Sequence, residues 1–398
     1  MKPLENVTII DLTHMLSGPY CGMLLADLGA NSIKVEPPGS GEGTRRLLEK
    51  SPDYSMDGMG AYFLTLNRNK KSVCIDLKSE EGLQLFYRLV EKADVVINNF
   101  SPGVPKRLGI DYDTLKKYNP RIITCSITGF GETGPEPDRP AFDLVAQGMG
   151  GGMSITGFEN GEPLRAGIPI GDLGGGTFAC IGILAALNAR TMTGVGQHID
   201  ISMQDCQISL LNYMATMYLM NGVQPKACGN GHFVHVPYNT FRTQTRYIII
   251  AVLTDQFWQA LVDLFDDDEL RSDEYKHQPG RWAHRDFINA RVQQHFETNS
   301  CEYWLEQLKQ KRIPAAPVND FAHALADEQV QAHNMVVEVE LDSGKKVKMP
   351  GNPIKLSGAD DTFTPPPGLG RDTNQVLADL LQMDEAAIRA LRDRKVIA

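Results

Sequence analysis

The sequence predicts an α/β protein with a Rossmann-like, doubly wound large domain and a smaller α+β domain. Three observations carry that prediction. The 398 residues exceed what one ordinary hydrophobic core accommodates. Through the first half, short β-type runs alternate with helical segments, the order that builds a mostly parallel sheet covered by helices on both faces. From about Lys226 the alternation stops, and a Gly-Pro loop, one strong strand and several helices follow.

Taken in order, Val7–Leu12 is a buried-type strand, and Pro19 opens a helix that Gly29 stops. Ser32–Glu36 and Ser72–Leu77 read as the next strands. A helix from Glu80 to Lys92 follows, with Leu83, Phe86, Leu89 and Val90 on one face. Val95–Asn98 and Ile122–Ile127 are two further β runs. The glycines of Gly171–Gly176 precede an apolar helix at Phe178–Ala189, His198–Met203 is a last strand, and a long apolar helix spans Gln204–Met220. Beyond lie the strand Tyr247–Leu253, a helix at Trp304–Lys309, strands near Val336–Leu341, and helices from Asn374 and Glu385. The expected division is residues 1–205 for the large domain, 206–225 for a linker helix, 226–325 for the small domain, and 326–398 for a segment returning to the large one.

A net charge of -10 argues against a nucleic-acid partner, which needs a basic excess. An anionic small molecule needs only a local basic pocket. No charged-then-apolar leader precedes the first strand, and no apolar run reads as a membrane span, because Phe178–Leu187 is interrupted by Gly182. The seven cysteines are scattered without a CxxC pair, which suggests buried, reduced thiols in a cytoplasmic protein and no metal site.

Gly129-Phe130-Gly131-Glu132-Thr133-Gly134 matches GxGxxG after a predicted strand. A dinucleotide site also needs a helix starting at those glycines. Pro135 and Pro137 forbid it, so the motif is a decoy. The segment Gly171-Asp172-Leu173-Gly174-Gly175-Gly176 is more informative. It sets one carboxylate beside a helix N-terminus, whose free N–H groups favour an oxyanion. The glycines let the backbone pass close to a ligand. The plain alternative is an N-cap, a common use of aspartate.

Context decides between these. Asp11-Leu12-Thr13, Gly18-Pro19, Leu25-Ala26-Asp27-Leu28-Gly29-Ala30 and Ile33-Lys34-Val35-Glu36-Pro37 stand in the order that opens the class III CoA-transferases. Asn67-Arg68-Asn69-Lys70-Lys71-Ser72, Asn99-Phe100-Ser101-Pro102-Gly103, the GFGETGP block and Gly194-Val195-Gly196-Gln197 continue the series. The chain resembles that family (CaiB/BaiF, formyl-CoA transferase-like) almost continuously to about Asp205. The resemblance implies that Asp172 is a nucleophile acylated in turn by two substrates, with coenzyme A thioesters as substrates and no permanently bound cofactor. It implies that Met15, Leu16, Ile75, Asn99 and Phe100 border the CoA cleft, that Arg107 meets a CoA phosphate, and that Gly229-Asn230-Gly231 forms a mobile lid. It implies an interlocked homodimer. The reaction it points to moves CoA from an acyl-CoA such as succinyl-CoA to a small carboxylic acid, dicarboxylic acids included.

Two departures from formyl-CoA transferase, Leu16 in place of a glutamine and Pro38 in place of a basic residue, argue against oxalate as acceptor. The racemases of the same fold family carry a histidine where this chain has Phe142, and phenylalanine cannot move a proton. Asp143, next to it, reads either as a polar partner of the site or as an N-cap for its own helix. A catalytically silent CoA-binding protein is the remaining alternative; the intact Asp172 segment disfavours it.

Overall fold

The computed structural model describes residues 2–398. They form two compact units. One holds the residues up to Met153 together with Arg165–Val223 and Gln331–Ala398; the other holds Ser154–Leu164 and Gln224–Val330.

The first unit is built on six strands: β1 (Thr8–Asp11), β2 (Asn31–Glu36), β3 (Lys70–Cys74), β4 (Val95–Asn98), β5 (Ile123–Thr128) and β6 (His198–Ser202). Their order in the sheet is β3-β2-β1-β4-β5-β6, and every neighbouring pair is parallel. That is the Rossmann order, in which the winding reverses between β1 and β4 and opens a crevice at the carboxyl ends of those strands. Among the helices that accompany the sheet are α1 (Ser17–Asp27), α2 (Glu80–Val90), α3 (Asp143–Met149), α4 (Ile170–Thr193), α5 (Met203–Leu210) and α6 (Tyr213–Asn221).

Neighbouring residues on a strand point to opposite faces, and both faces are covered. Ile9 and Val95 join Leu24, Leu25, Ala179 and Ile183 in one core layer. Ile10 and Val96 join Leu85, Phe86 and Leu89 in the other. The helices α1 and α4 lie unusually close. A β-carbon on Gly176 would fall 2.5 Å from the backbone oxygen of Ser17, and one on Gly175 would fall 2.7 Å from the Ser17 hydroxyl.

The second unit contains an antiparallel sheet of β7 (Tyr238–Arg242), β8 (Tyr247–Ala251) and β9 (Ala315–Pro317), with β8 central. Helices α7 (Asp255–Phe265), α8 (Arg285–Phe296) and α9 (Cys301–Gln310) pack on it around Trp258, Phe296 and Trp304. The chain then returns to the first unit through the hairpin β10 (Val336–Glu340) and β11 (Lys346–Pro350) and helices α10 (Thr373–Leu381) and α11 (Glu385–Asp393). This return closes the exposed edge of the parallel sheet. Asp372 accepts a hydrogen bond from the Ser72 N–H, Thr373 accepts one from the Cys74 N–H, and Ile75 pairs with Ile397.

Several expected elements differ from those observed. The strand expected at Ser72–Leu77 begins two residues earlier, at Lys70, because the Lys70 ammonium is buried against Asp11 and its charge does not bar it from the sheet. The apolar helix expected from Phe178 begins at Ile170 and runs 24 residues, with the glycines inside it. By length and composition that helix could cross a membrane, which the interrupted Phe178–Leu187 run conceals; half of its most apolar 18-residue stretch is buried within the protein. The single helix expected over Gln204–Met220 is two, α5 and α6, broken where Asn212 takes a positive φ (50°) outside the helical region. No helix starts at the GxGxxG glycines: Gly131 and Gly134 adopt positive φ in a loop, and the next helix begins at Asp143. All seven cysteines are free, and Cys228 is exposed rather than buried.

The α1–α4 contact leaves no room for a methyl group at backbone distance. Gly176→Ala is expected to destabilise the protein by about 1–3 kcal/mol, the usual cost of overpacking. Urea denaturation checks this as a shift in midpoint without a change in slope.

Candidate active site

Asp11 ends β1 beneath the crevice and is fully buried, as are Lys34 and Lys70. Lys70 Nζ lies 2.8 Å and Lys34 Nζ 3.9 Å from its carboxylate. Burial alone would raise the Asp11 pKa, but the two ammonium charges and the hydrogen bonds from Lys70 and Thr13 prevail and hold it at about 2. The carboxylate thus stays ionised, and it accepts the Thr13 N–H at 2.8 Å. Lys34 Nζ also donates to the Thr13 carbonyl at 2.6 Å. One residue on, Asn99 at the end of β4 clamps His14 from both sides, accepting its N–H at 2.9 Å and donating to its carbonyl at 2.7 Å. The turn reverses at Met15 (φ 64°) and enters α1 at Ser17. Charge pairs and a side-chain amide therefore fix the loop between β1 and α1 on the crevice floor.

Asp172 occupies the first turn of α4 and does not cap it. The cap comes from Asp143, whose Oδ1 accepts the Gly171 N–H at 2.8 Å and the Asp172 N–H at 3.3 Å. Asp143 does not cap its own helix α3, where Phe142 holds the N-cap position without a side-chain bond. Gln147 steadies it by donating to its second oxygen at 2.7 Å. The N-cap alternative thus fails for both aspartates, since neither holds the N-cap position of its own helix or makes a side-chain cap bond to it.

Among the described residues, no hydrogen bond or cation meets the half-buried Asp172 carboxyl. Burial, then the nearby Asp143 charge, raise its pKa to about 6. The helix dipole acts the other way, but it is worth only about 0.3–1 kcal/mol. A shift of this size corresponds to about 3 kcal/mol, so burial and repulsion win. The result is a carboxylate that is ionised at neutral pH, poorly solvated and unpaired, as a nucleophile requires. The glycines after it serve a different end from the one expected of them. They admit α1 and α5 rather than a ligand: a β-carbon on Gly174 would lie 3.2 Å from Leu210, and Gly175 and Gly176 face Ser17.

A cavity of about 350 Å³ opens over Asp172, lined by Met15, Leu16, Ser17, Asn99, Phe100 and Arg139 among others. A second, of about 300 Å³, lies over the ends of β2 and β3 and is lined by Ile75, Lys78 and Leu108 among others. His14 and Phe100 belong to both, so the two spaces form one cleft across the switch point. Met15, Leu16, Asn99, Phe100 and Asp172 thus come together, and Ile75 lies at the far end. The Ile75 side chain is buried in the core, which leaves its backbone to face a ligand. Asn99 borders the cavity with its amide already engaged by His14. Arg107 is exposed and lines neither space. Asp143 stands behind Asp172 rather than in the cavity wall. Gly229, Asn230 and Gly231 belong to the second unit, where Gly229 donates to Gly157 at 2.8 Å and Asn230 to Thr240 at 2.8 Å. Arg165 is exposed and bonds to the carbonyl of Ala166.

Sequence reasoning passed over Lys78, Arg139 and Ser17. Lys78 was within reach, since it follows Ile75 by three residues at the end of a strand. Arg139 and Ser17 carry no local signal, because distant segments bring them to Asp172. Among the described residues, no group of three His, Cys, Asp or Glu side chains gathers as a metal site.

Comparison with known proteins agrees with this geometry. The model for CoA-transferase family III matches residues 4–373. The chain belongs to CoA-transferase family III. An acetyl-CoA:oxalate CoA-transferase of Acetobacter aceti is 39% identical over 92% of both chains. A succinyl-CoA:glutarate CoA-transferase of Homo sapiens is 35% identical, covering 100% of this chain and 90% of its own. The crystal structure of a CaiB/BaiF family protein from Brucella suis superposes with a TM-score of 0.85 at 36% identity, over 95% of this chain and 99% of that one.

In this family III enzyme the raised Asp172 pKa has a consequence for stability. The folded state holds the proton more tightly than the unfolded chain does, so ionisation costs stability. That cost is absent below pH 3.8 and complete above about 6. Asp172→Asn is therefore expected to be more stable than the parent at pH 7.5, by about 1–2 kcal/mol once solvent screening of the half-buried group is allowed for. The advantage should vanish by about pH 4, which thermal melts at several pH values would show.

Proposed function

We propose that this protein moves CoA from an acyl-CoA, with succinyl-CoA as the leading donor, to a small dicarboxylic acid through covalent intermediates on Asp172. The observation that carries this reading is the bare Asp172 carboxylate, unpaired and half-buried in a cleft at the topological switch point. An Asp172 oxygen attacks the thioester carbon, the C–S bond breaks, and CoA leaves as thiolate with an acyl-aspartyl anhydride behind it. The thiolate attacks the Asp172 carbonyl carbon of that anhydride and releases the donor acid, giving aspartyl-CoA. The acceptor carboxylate displaces CoA again to form a second anhydride. Thiolate attack on the acceptor carbon completes the new thioester and frees Asp172. The acyl activation persists throughout, so no nucleotide hydrolysis is needed. Water would hydrolyse either intermediate, so the site must be kept dry. Gly229-Asn230-Gly231 is our proposed lid for that purpose.

The acids that name the Acetobacter and human relatives, oxalate and glutarate, both carry two carboxylates. Among the described residues Arg139 is the one Lys or Arg lining the Asp172 cavity; it pairs with Glu136 at 2.7 Å, and exchanging that partner would let it hold the carboxylate that does not react. Racemase chemistry lacks support, because Phe142 borders the cavity where that reaction needs a proton carrier. An interlocked homodimer remains a proposal. It is consistent with the apolar end of the α6 region, where Leu219 and Met220 are each 80% exposed and Val223 is 67% exposed.

Three outcomes follow. Incubation with succinyl-CoA and hydroxylamine should convert Asp172 to its hydroxamate, detectable by peptide mass spectrometry, and Asp172→Ala should abolish transfer while CoA still binds. Turnover by that variant would overturn the proposal. Arg139→Ala should raise KM for dicarboxylic acceptors by about 10–100-fold and leave monocarboxylic ones little changed, as steady-state kinetics with paired acceptors would show.

A further inference from the structure

Ser17 is the first residue of α1, 3% exposed, and its hydroxyl has no hydrogen-bond partner. A buried hydroxyl left unpaired costs free energy, and such exceptions in a native fold call for an explanation. Ser17 lines the same cavity as Asp172. Its hydroxyl sits over Gly175, 2.7 Å from where a β-carbon would be. Asp172 and Gly175 are three residues apart on α4, so they share one face of that helix. The hydroxyl therefore stands one turn along from the nucleophile, on its side. No side chain caps α1, whose N-cap is Leu16, and Pro19 in its first turn has no N–H to offer. The Ser17 hydroxyl thus stands at the positive end of an uncapped helix, buried against Gly175 at the wall of a cavity in which negative charge must develop.

We propose that the Ser17 hydroxyl is a catalytic hydrogen-bond donor to the oxyanion of the tetrahedral adducts formed at Asp172. The proposal rests on the transferase reading above. In the ground state the donor is unpaired. When a carbonyl attached to Asp172 is attacked, its C=O electrons move onto oxygen, and the hydroxyl, turning about its Cα–Cβ bond, meets that charge. When the adduct collapses, the thiolate or carboxylate leaves with the electron pair and the donor is free again. Ser17 itself gains and loses no proton. A donor that bonds only in the transition state raises kcat and leaves ground-state binding alone.

Ser17→Ala separates this role from a structural one. It is expected to lower kcat by about 100-fold, to leave KM for the acyl-CoA within about 2-fold, and to keep or raise Tm, since a buried unpaired hydroxyl is removed. Ser17→Cys, nearly isosteric but a weaker donor, should fall between. If the parent enzyme forms the hydroxylamine-sensitive Asp172 adduct and Ser17→Ala keeps parental kcat, the Ser17 role is overturned and the transferase reading stands. A loss of kcat that tracks a loss of Tm overturns it as well. Absence of any Asp172 adduct in the parent overturns both.

Discussion

The close approach of α1 to α4 is the constraint on which the site depends. Gly175 and Gly176 let the two backbones meet at distances that no side chain would permit. That contact brings the start of α1 to the first turn of α4, so Ser17 and Asp172 open into one cavity. Asp143 completes the arrangement by capping α4 from a third helix. Three helix termini thus converge over the crevice that the strand order creates, and none can shift without displacing the others.

The fold treats its two central aspartates in opposite ways. Asp11 is buried with two lysines and stays ionised at low pH, which lets it act as a fixed anchor for the loop above it. Asp172 has only a like charge nearby, and its carboxylate is correspondingly destabilised. A paired charge is stable and unreactive; an unpaired one in a dry cleft is the reverse. The stability given up at Asp172 is small against the buried apolar layers on both faces of the sheet, which is why the fold tolerates it.

Much of the fold was legible in residue pattern. Val95–Asn98 was read with its observed ends, and the other parallel strands fell within two or three residues, because a strand buried on both faces is a continuous apolar run bounded by turn residues. Two of the errors share one cause. Lys70 in a strand and glycines inside α4 each contradict local propensity, and each is settled by what a distant segment supplies. A buried carboxylate neutralises Lys70, and a neighbouring backbone fills the space over the glycines.

By itself the sequence determined the fold class, the family through its ordered blocks, and the identity of Asp172 as the residue of interest. These are carried by patterns local to the chain, in periodicity and in short motifs. Only the tertiary structure decided that Asp143 rather than Asp172 caps the helix, that the glycines serve packing, that Arg139 and Lys78 line the cleft while Arg107 lines neither of its two spaces, and that the Ser17 hydroxyl is unpaired over Gly175. Each of these is a relation between segments far apart in sequence, and burial, charge and hydrogen-bond satisfaction acquire values only when such segments meet.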